Sequence, residues 1–341
     1  MLTKKRLLVS TLATALATMA LPTTTMAGAF IFSDGNNADR ITHPSNYNGT
    51  GGVLTVSVCI APSSESISDM IVPVENAIAT WNALTPTTGN LIFGAANDIP
   101  SGSIDFESTL AHEIGHCIGL AHPNLATESG LGEPNRNYTK TDEGPNNNFD
   151  LGIGADGVRG SADDDRGDDI NLHWFNTQTN NPFALNGVVD SSTYSVNIAN
   201  LPNSDTFAAN ADRTVSGLFG VPSTEAVMQQ GQGFDEDQRQ LGHDDVATLR
   251  LGMAGIDEVA GTADDYTLRL EYGGVASGCD ITVQVTGTSF AFCSVGGAGV
   301  APGHFRVSSA TAQFASTSEI NWFFNPNSNT SQVIFEDGFE S

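Results

Sequence analysis

Three histidines and a glutamate stand at spacings that suit metal-assisted hydrolysis. Residues 112 to 122 read H-E-I-G-H-C-I-G-L-A-H. His112 and His116 are four apart, so on a helix they share one face, one turn above the other. Two imidazoles so placed converge on one ion, and tetrahedral zinc is the usual occupant. Gly119, three residues further on, can take a left-handed backbone, stop the helix and swing the chain back. His122 then arrives as a third nitrogen ligand and leaves the fourth position open, which marks a catalytic rather than a structural zinc site. Glu113, beside the first ligand, is placed to take a proton from the water that the metal activates and to return it to a leaving amine. The chemistry expected is hydrolysis of a peptide bond.

The run H-E-x-x-H-x-x-G-x-x-H resembles the signature of the metzincin metallopeptidases, and it is complete at His112, Glu113, His116, Gly119 and His122. The resemblance implies a methionine turn beneath the metal, downstream of the third histidine. The segment 224–230 (T-E-A-V-M-Q-Q) is the candidate, with Met228 as the apolar floor; Met253 competes but sits in a closing helix. Pro123 follows His122 as in serralysin-like members. Those members carry a tyrosine two residues after the turn methionine, where this chain has Gln230, so no tyrosine switch is carried over. Met228 lies 106 residues after His122, which implies a large acidic insertion, about 125–220.

The elements that must position these groups follow from local pattern. Ser103 to Ala111 leads into the motif, with Asp105 or Ser108 as helix-cap candidates. Val72 to Leu84 has apolar residues at three- and four-residue spacing with Pro73 near its first turn, an amphipathic helix. Val53 to Ile60 is a β-branched alternating run, hence a strand, and 91–94 reads as another. The order resembles a matrixin-like lobe, an α/β (α+β) metzincin-like catalytic domain with a twisted mixed sheet and a zinc helix. Residues 244–251 read as that domain's closing helix, with His243 in a structural role. Past about Gly261, short alternating runs at 266–272, 281–285, 305–307 and 310–314 separated by Gly- and Ser-rich turns predict a small all-β C-terminal region with an acidic tail. The expected organisation is therefore 1–27, 28–260 and 261–341.

Met1 to Ala27 has a basic start, an apolar stretch from Leu7 to Leu21 and a small-residue exit, the pattern of a secretory signal peptide cut after Ala27. Its removal takes three of the 13 basic residues and none of the 39 acids, and the formal charge moves from −26 to −29. Such a balance excludes nucleic acid as a partner, because phosphate binding needs clustered Lys and Arg. No other segment reads as a membrane span. The reading is an exported chain, extracellular or periplasmic and monomeric, with a protein or peptide as its substrate.

Four cysteines in an exported chain suggest two disulfides, and three pairings are open. Sequence proximity favours Cys279 with Cys293 across a strand-turn-strand stretch, leaving Cys59 with Cys117 to pin the zinc helix to a strand. The only cysteine before the zinc helix is Cys59, so no cysteine-switch propeptide is visible. An internal echo joins Gly154–Asp164 to Gly255–Asp265 at a constant offset of 101 residues. Its carboxylates, Asp156, Asp163 and Asp164 in one copy and Asp257, Asp264 and Asp265 in the other, are calcium candidates or a solvated acidic turn. His173, in an aromatic run, reads as a packed residue rather than a ligand. Zinc, with calcium beside it, is the expected cofactor set. The competing function is a zinc- and calcium-binding surface or adhesion protein without general proteolysis; a third reading is an enzyme dedicated to one protein substrate.

Overall fold

The computed structural model describes residues 30–33, 39–123, 181–185, 189–195, 213–229 and 231–329, with one to three residues at each of 151–152, 155, 165–166, 175–177, 187 and 211. The expected signal peptide, the tail from 330, Asp156, Asp163, Asp164, His173 and Gln230 lie outside the described residues.

In chain order the first elements are β1 (Ile41–His43), β2 (Gly52–Ile60), α1 (Ile67–Ala83), β3 (Ile92–Phe93), β4 (Ile104–Asp105) and α2 (Phe106–Cys117). The insertion contributes β5 (Leu151–Gly152), β6 (Asp165–Arg166), β7 (Phe175–Asn176), β8 (Tyr194–Ser195) and the short helix α3 (Arg213–Leu218). There follow β9 (Glu236–Asp237), α4 (His243–Met253), β10 (Tyr266–Val275), β11 (Ile281–Gly287), β12 (Ala291–Ala301), β13 (His304–Ala315) and β14 (Trp322–Phe323).

The architecture is mixed α/β around a mostly parallel sheet in the order β1-β13-β11-β2-β10, with β12 antiparallel on the other side of β13. Period-two burial builds it. Tyr266, Leu268 and Leu270 of β10 and Ile281, Val283 and Val285 of β11 point into one core with Val56 and Val58 of β2. α1 and α2 pack on each other and on this sheet, α1 against β10 and α2 against β12 and β13. Trp81 of α1 donates its indole N–H to the Ala111 carbonyl of α2 at 2.9 Å.

Three expectations are corrected. Residues 266–315 are not a separate β region: β10, β11 and β13 alternate in one sheet with β1 and β2 from the chain's start. Parallel neighbours need long crossovers, so local periodicity finds the strands but not their partners. The runs at 305–307 and 310–314 are one strand, and β12, read partly as turn because of Gly296, Gly297 and Gly299, is a strand of 11 residues. Helix α1 begins at Ile67, five residues before the predicted start, and carries Pro73 in its interior. There the buried stripe of Met70, Val74, Ala77, Ile78 and Trp81 outweighs the missing N–H. Among the described residues no helix is long and apolar enough to cross a membrane.

Candidate metal centre and its cleft

Helix α2 starts where Asp105 caps it: the carboxylate accepts the Ser108 N–H at 2.9 Å and the Ser108 hydroxyl at 2.6 Å. Arg239 holds the same carboxylate through two nitrogens at 2.9 Å, which fixes the entry to the helix. The helix stops at Gly119, whose φ of +111° is open to glycine, and a Cβ there would meet the Thr42 carbonyl oxygen at 2.6 Å. The chain turns, and His122 comes back over the helix.

The three imidazoles meet. The Nε2 of His122 lies 3.1 Å from that of His116 and 3.2 Å from that of His112. Ligand nitrogens at about 2.0–2.1 Å from a tetrahedral zinc stand roughly 3.3 Å apart, so the spacing suits a metal ion. The outer nitrogens are committed elsewhere: His112 Nδ1 donates to the Val227 carbonyl at 2.6 Å, and His116 Nδ1 to the Leu120 carbonyl at 2.8 Å. These bonds leave the Nε2 lone pairs of His112 and His116 free to face the common point. Burial keeps the rings neutral, lowering His112 to about 4 and His116 to about 3; burial and the other two rings hold His122 well below its usual value.

Glu113 is 4% exposed, and burial raises its carboxyl to about 8 against the opposing bond from the Cys293 backbone N–H. Its Oε2 is buried without a hydrogen-bond partner. Glu113 and the three histidines line one cleft of about 530 Å³. Met228 is buried under α2, its sulfur pressed against Gly115 in the turn between His112 and His116.

The cysteines pair Cys59–Cys279 and Cys117–Cys293, with Cα–Cα distances of 5.8 and 5.7 Å. The expected pairings, Cys279–Cys293 and Cys59–Cys117, are therefore corrected. The strands β11 and β12 do not form a hairpin; they lie on opposite sides of β13, so Cys293 is carried to α2 and Cys279 stays beside β2. Helix α2 is pinned at Cys117, as expected, but to β12, the edge strand of the cleft.

Asp257, Asp264 and Asp265 come close enough for one carboxylate oxygen of each to lie within 4.8 Å of the others. Their oxygens already serve the turn itself: Asp264 accepts the Ile256 and Asp257 N–H groups, and Asp265 the Gly261 N–H. His243 donates to the Leu185 carbonyl at 2.8 Å and stays away from the metal centre. Sequence reasoning missed Asp245, the place of Cys293 in the cleft, and the segment Phe30–Ser33, which also lines it. Phe30 bridges to Leu120, and the Ile31 N–H donates to the Gly119 carbonyl at 2.9 Å, so this segment braces the turn that carries His122. No protein-family model, curated protein or solved structure matches the chain.

Proposed function

We propose that the protein is a secreted zinc-dependent endopeptidase of metzincin type. The reading is carried by one observation: three histidine Nε2 atoms converge in a cleft that a buried carboxylate with a partnerless oxygen also lines. His112, His116 and His122 would hold the ion, which when bound supplies Lewis acidity toward the scissile carbonyl and lowers the pKa of water at its open position. Glu113 serves as general base and then, protonated, as general acid toward the leaving amine. Cys293 lines the same cleft as that carboxylate, and its backbone N–H favours the ionised form. Met228 packs beneath the ligand helix, and the outer edge of β12, which pairs among the described strands with β13 alone, offers backbone groups along which a substrate strand can add. The resemblance at residues 112–122 and the two disulfides support export and this class of enzyme.

The test is digestion of denatured casein by the secreted protein and by a Glu113→Ala variant, with zinc measured in both. The expected result is cleavage by the parent, none by the variant, and about one zinc per chain in each, as a three-histidine site requires. Zinc in both with cleavage by neither would favour the competing reading of a metal-binding surface protein, which the Asp257, Asp264 and Asp265 cluster supports. A parent without zinc would end the proposal.

A further inference from the structure

The cleft lining is poor in charge although the chain as a whole is strongly acidic. The protein carries 39 Asp and Glu against 13 Lys and Arg, yet among the described residues Glu113 is the one carboxylate lining the cleft, and no Lys or Arg lines it. One wall is aromatic. Phe290 stands 39% exposed at the start of β12, its ring 5.4 Å from that of Trp322. Trp322 in turn closes on the buried Phe106 and Phe314, so Phe290 is the accessible end of a rigid aromatic stack. Phe30, Ile31 and Phe32 form apolar lining from the chain's first described segment.

The polar lining groups are neutral and already engaged. Ser108 Oγ lies between Asp105 and the Gln238 N–H, Thr109 Oγ1 donates to the Asp105 carbonyl at 2.9 Å, and the Gln238 amide donates to the Ala226 carbonyl at 2.9 Å. Away from the three histidines and Glu113, a charged substrate side chain entering here would lose water and find no charged lining residue to pair with. An acidic one would in addition meet the negative field of the whole chain. An apolar side chain would gain from leaving water, most of all against the Phe290 ring.

Resting on the peptidase reading, we infer that the cleft selects an extended peptide segment uncharged on both sides of the scissile bond, with an aromatic or branched aliphatic side chain against Phe290. Phe290 is then a specificity-determining residue.

The experiment uses the zinc-loaded protein and a set of fluorogenic peptides that differ at the residues flanking the cut, with Phe or Leu, Asp, or Lys. The expected result is kcat/KM at least about tenfold higher for Phe and Leu than for Asp. A Phe290→Lys variant narrows that gap for Asp, whereas Phe290→Leu keeps it. Casein digestion runs alongside. Casein cut, with peptides cleaved regardless of charge, overturns the inference and leaves the peptidase reading standing. If casein is not cut, the peptidase reading fails by itself. The cleft is then judged by calorimetric affinity for two hydroxamates, one bearing a benzyl group and one a carboxymethyl group. Benzyl tighter by at least about tenfold in the parent, with the preference lost in Phe290→Lys, upholds the cleft's selectivity. Equal affinity, or binding of neither, overturns it.

Discussion

Asp245 accepts the backbone N–H of Met228 at 2.9 Å and so ties the floor of the metal centre to the first turn of α4. The same carboxylate takes the Val227 N–H at 2.8 Å and the Gly242 N–H at 2.7 Å. Val227 in turn offers its carbonyl to His112, so the position of a ligand nitrogen depends on a residue 133 positions away in the chain. Asp245→Ala would leave three buried N–H groups without an acceptor, at a cost of about 1–3 kcal/mol for each that water cannot reach. Zinc affinity is expected to fall about 10- to 100-fold, as when other outer partners of ligand histidines are removed. Urea denaturation and competition for zinc with a chromogenic chelator measure the two effects; unchanged zinc affinity would show that Asp245 supports the fold without positioning His112.

Gly115 decides a contest between helix propensity and packing. Alanine is favoured over glycine in a helix interior by about 1 kcal/mol. Here, though, an added Cβ would lie 2.1 Å from the Met228 sulfur and 3.0 Å from a Trp81 ring carbon. Overpacking of this kind costs about 1–3 kcal/mol, and Met228 has to move. Gly115→Ala is therefore expected to destabilise the protein, with zinc affinity falling in parallel. A variant more stable than the parent would mean that the methionine floor yields freely.

The contrast between what sequence made legible and what it did not has a physical cause. The candidate ligands and the proposed base occupy 11 consecutive residues, so helix geometry and a single glycine turn place them without reference to the rest of the chain. The Asp105 cap was within reach for the same reason. By contrast, β2 pairs with β10 and β11 across more than 200 residues, and nothing in either segment's alternation names the other. β12 was obscured by its glycines, and with it the partner of Cys117. Asp245 was invisible because it binds backbone N–H groups, which every residue except proline provides.

The disulfide pattern gives a prediction that needs no metal. Peptide mapping without reduction is expected to recover Cys59 linked to Cys279 and Cys117 linked to Cys293. A Cys117→Ser, Cys293→Ser double variant is expected to lose about 2–5 kcal/mol of stability. It should also lose activity beyond that, because Cys293 lines the cleft with Glu113 and the bridge fixes β12 to α2. The Cys59→Ser, Cys279→Ser pair, at the β2–β11 end of the sheet, should lose stability by a similar amount but retain turnover under conditions where it is folded. Equal loss of turnover in both folded variants would remove the special role of the Cys117–Cys293 bridge.

Acid acts on the fold through a buried histidine pair, His43 and His304. His43 is fully buried, its Nε2 3.0 Å from Nδ1 of His304 and its Nδ1 3.4 Å from the Tyr266 hydroxyl. His304 faces Glu258 on its other side, and Tyr47 and the Asp264 backbone close the pocket. Burial first, and then His304, lower His43 from 6.5 to about 3. Between those values the unfolded chain binds a proton that the folded one refuses, so stability falls as the pH drops from 6.5 toward 3. Above 6.5 neither state binds the proton and the effect is flat. Each such group contributes up to about 1.4 kcal/mol per pH unit within the window. His43→Gln should therefore flatten the acid limb of the stability curve by about that slope, even if its stability at neutral pH is lower. The comparison is made by urea denaturation from pH 3.5 to 8 with a chelator present, so that the three ligand histidines titrate alike in both proteins. Parallel curves for parent and variant would show that His43 takes up its proton without unfolding the protein.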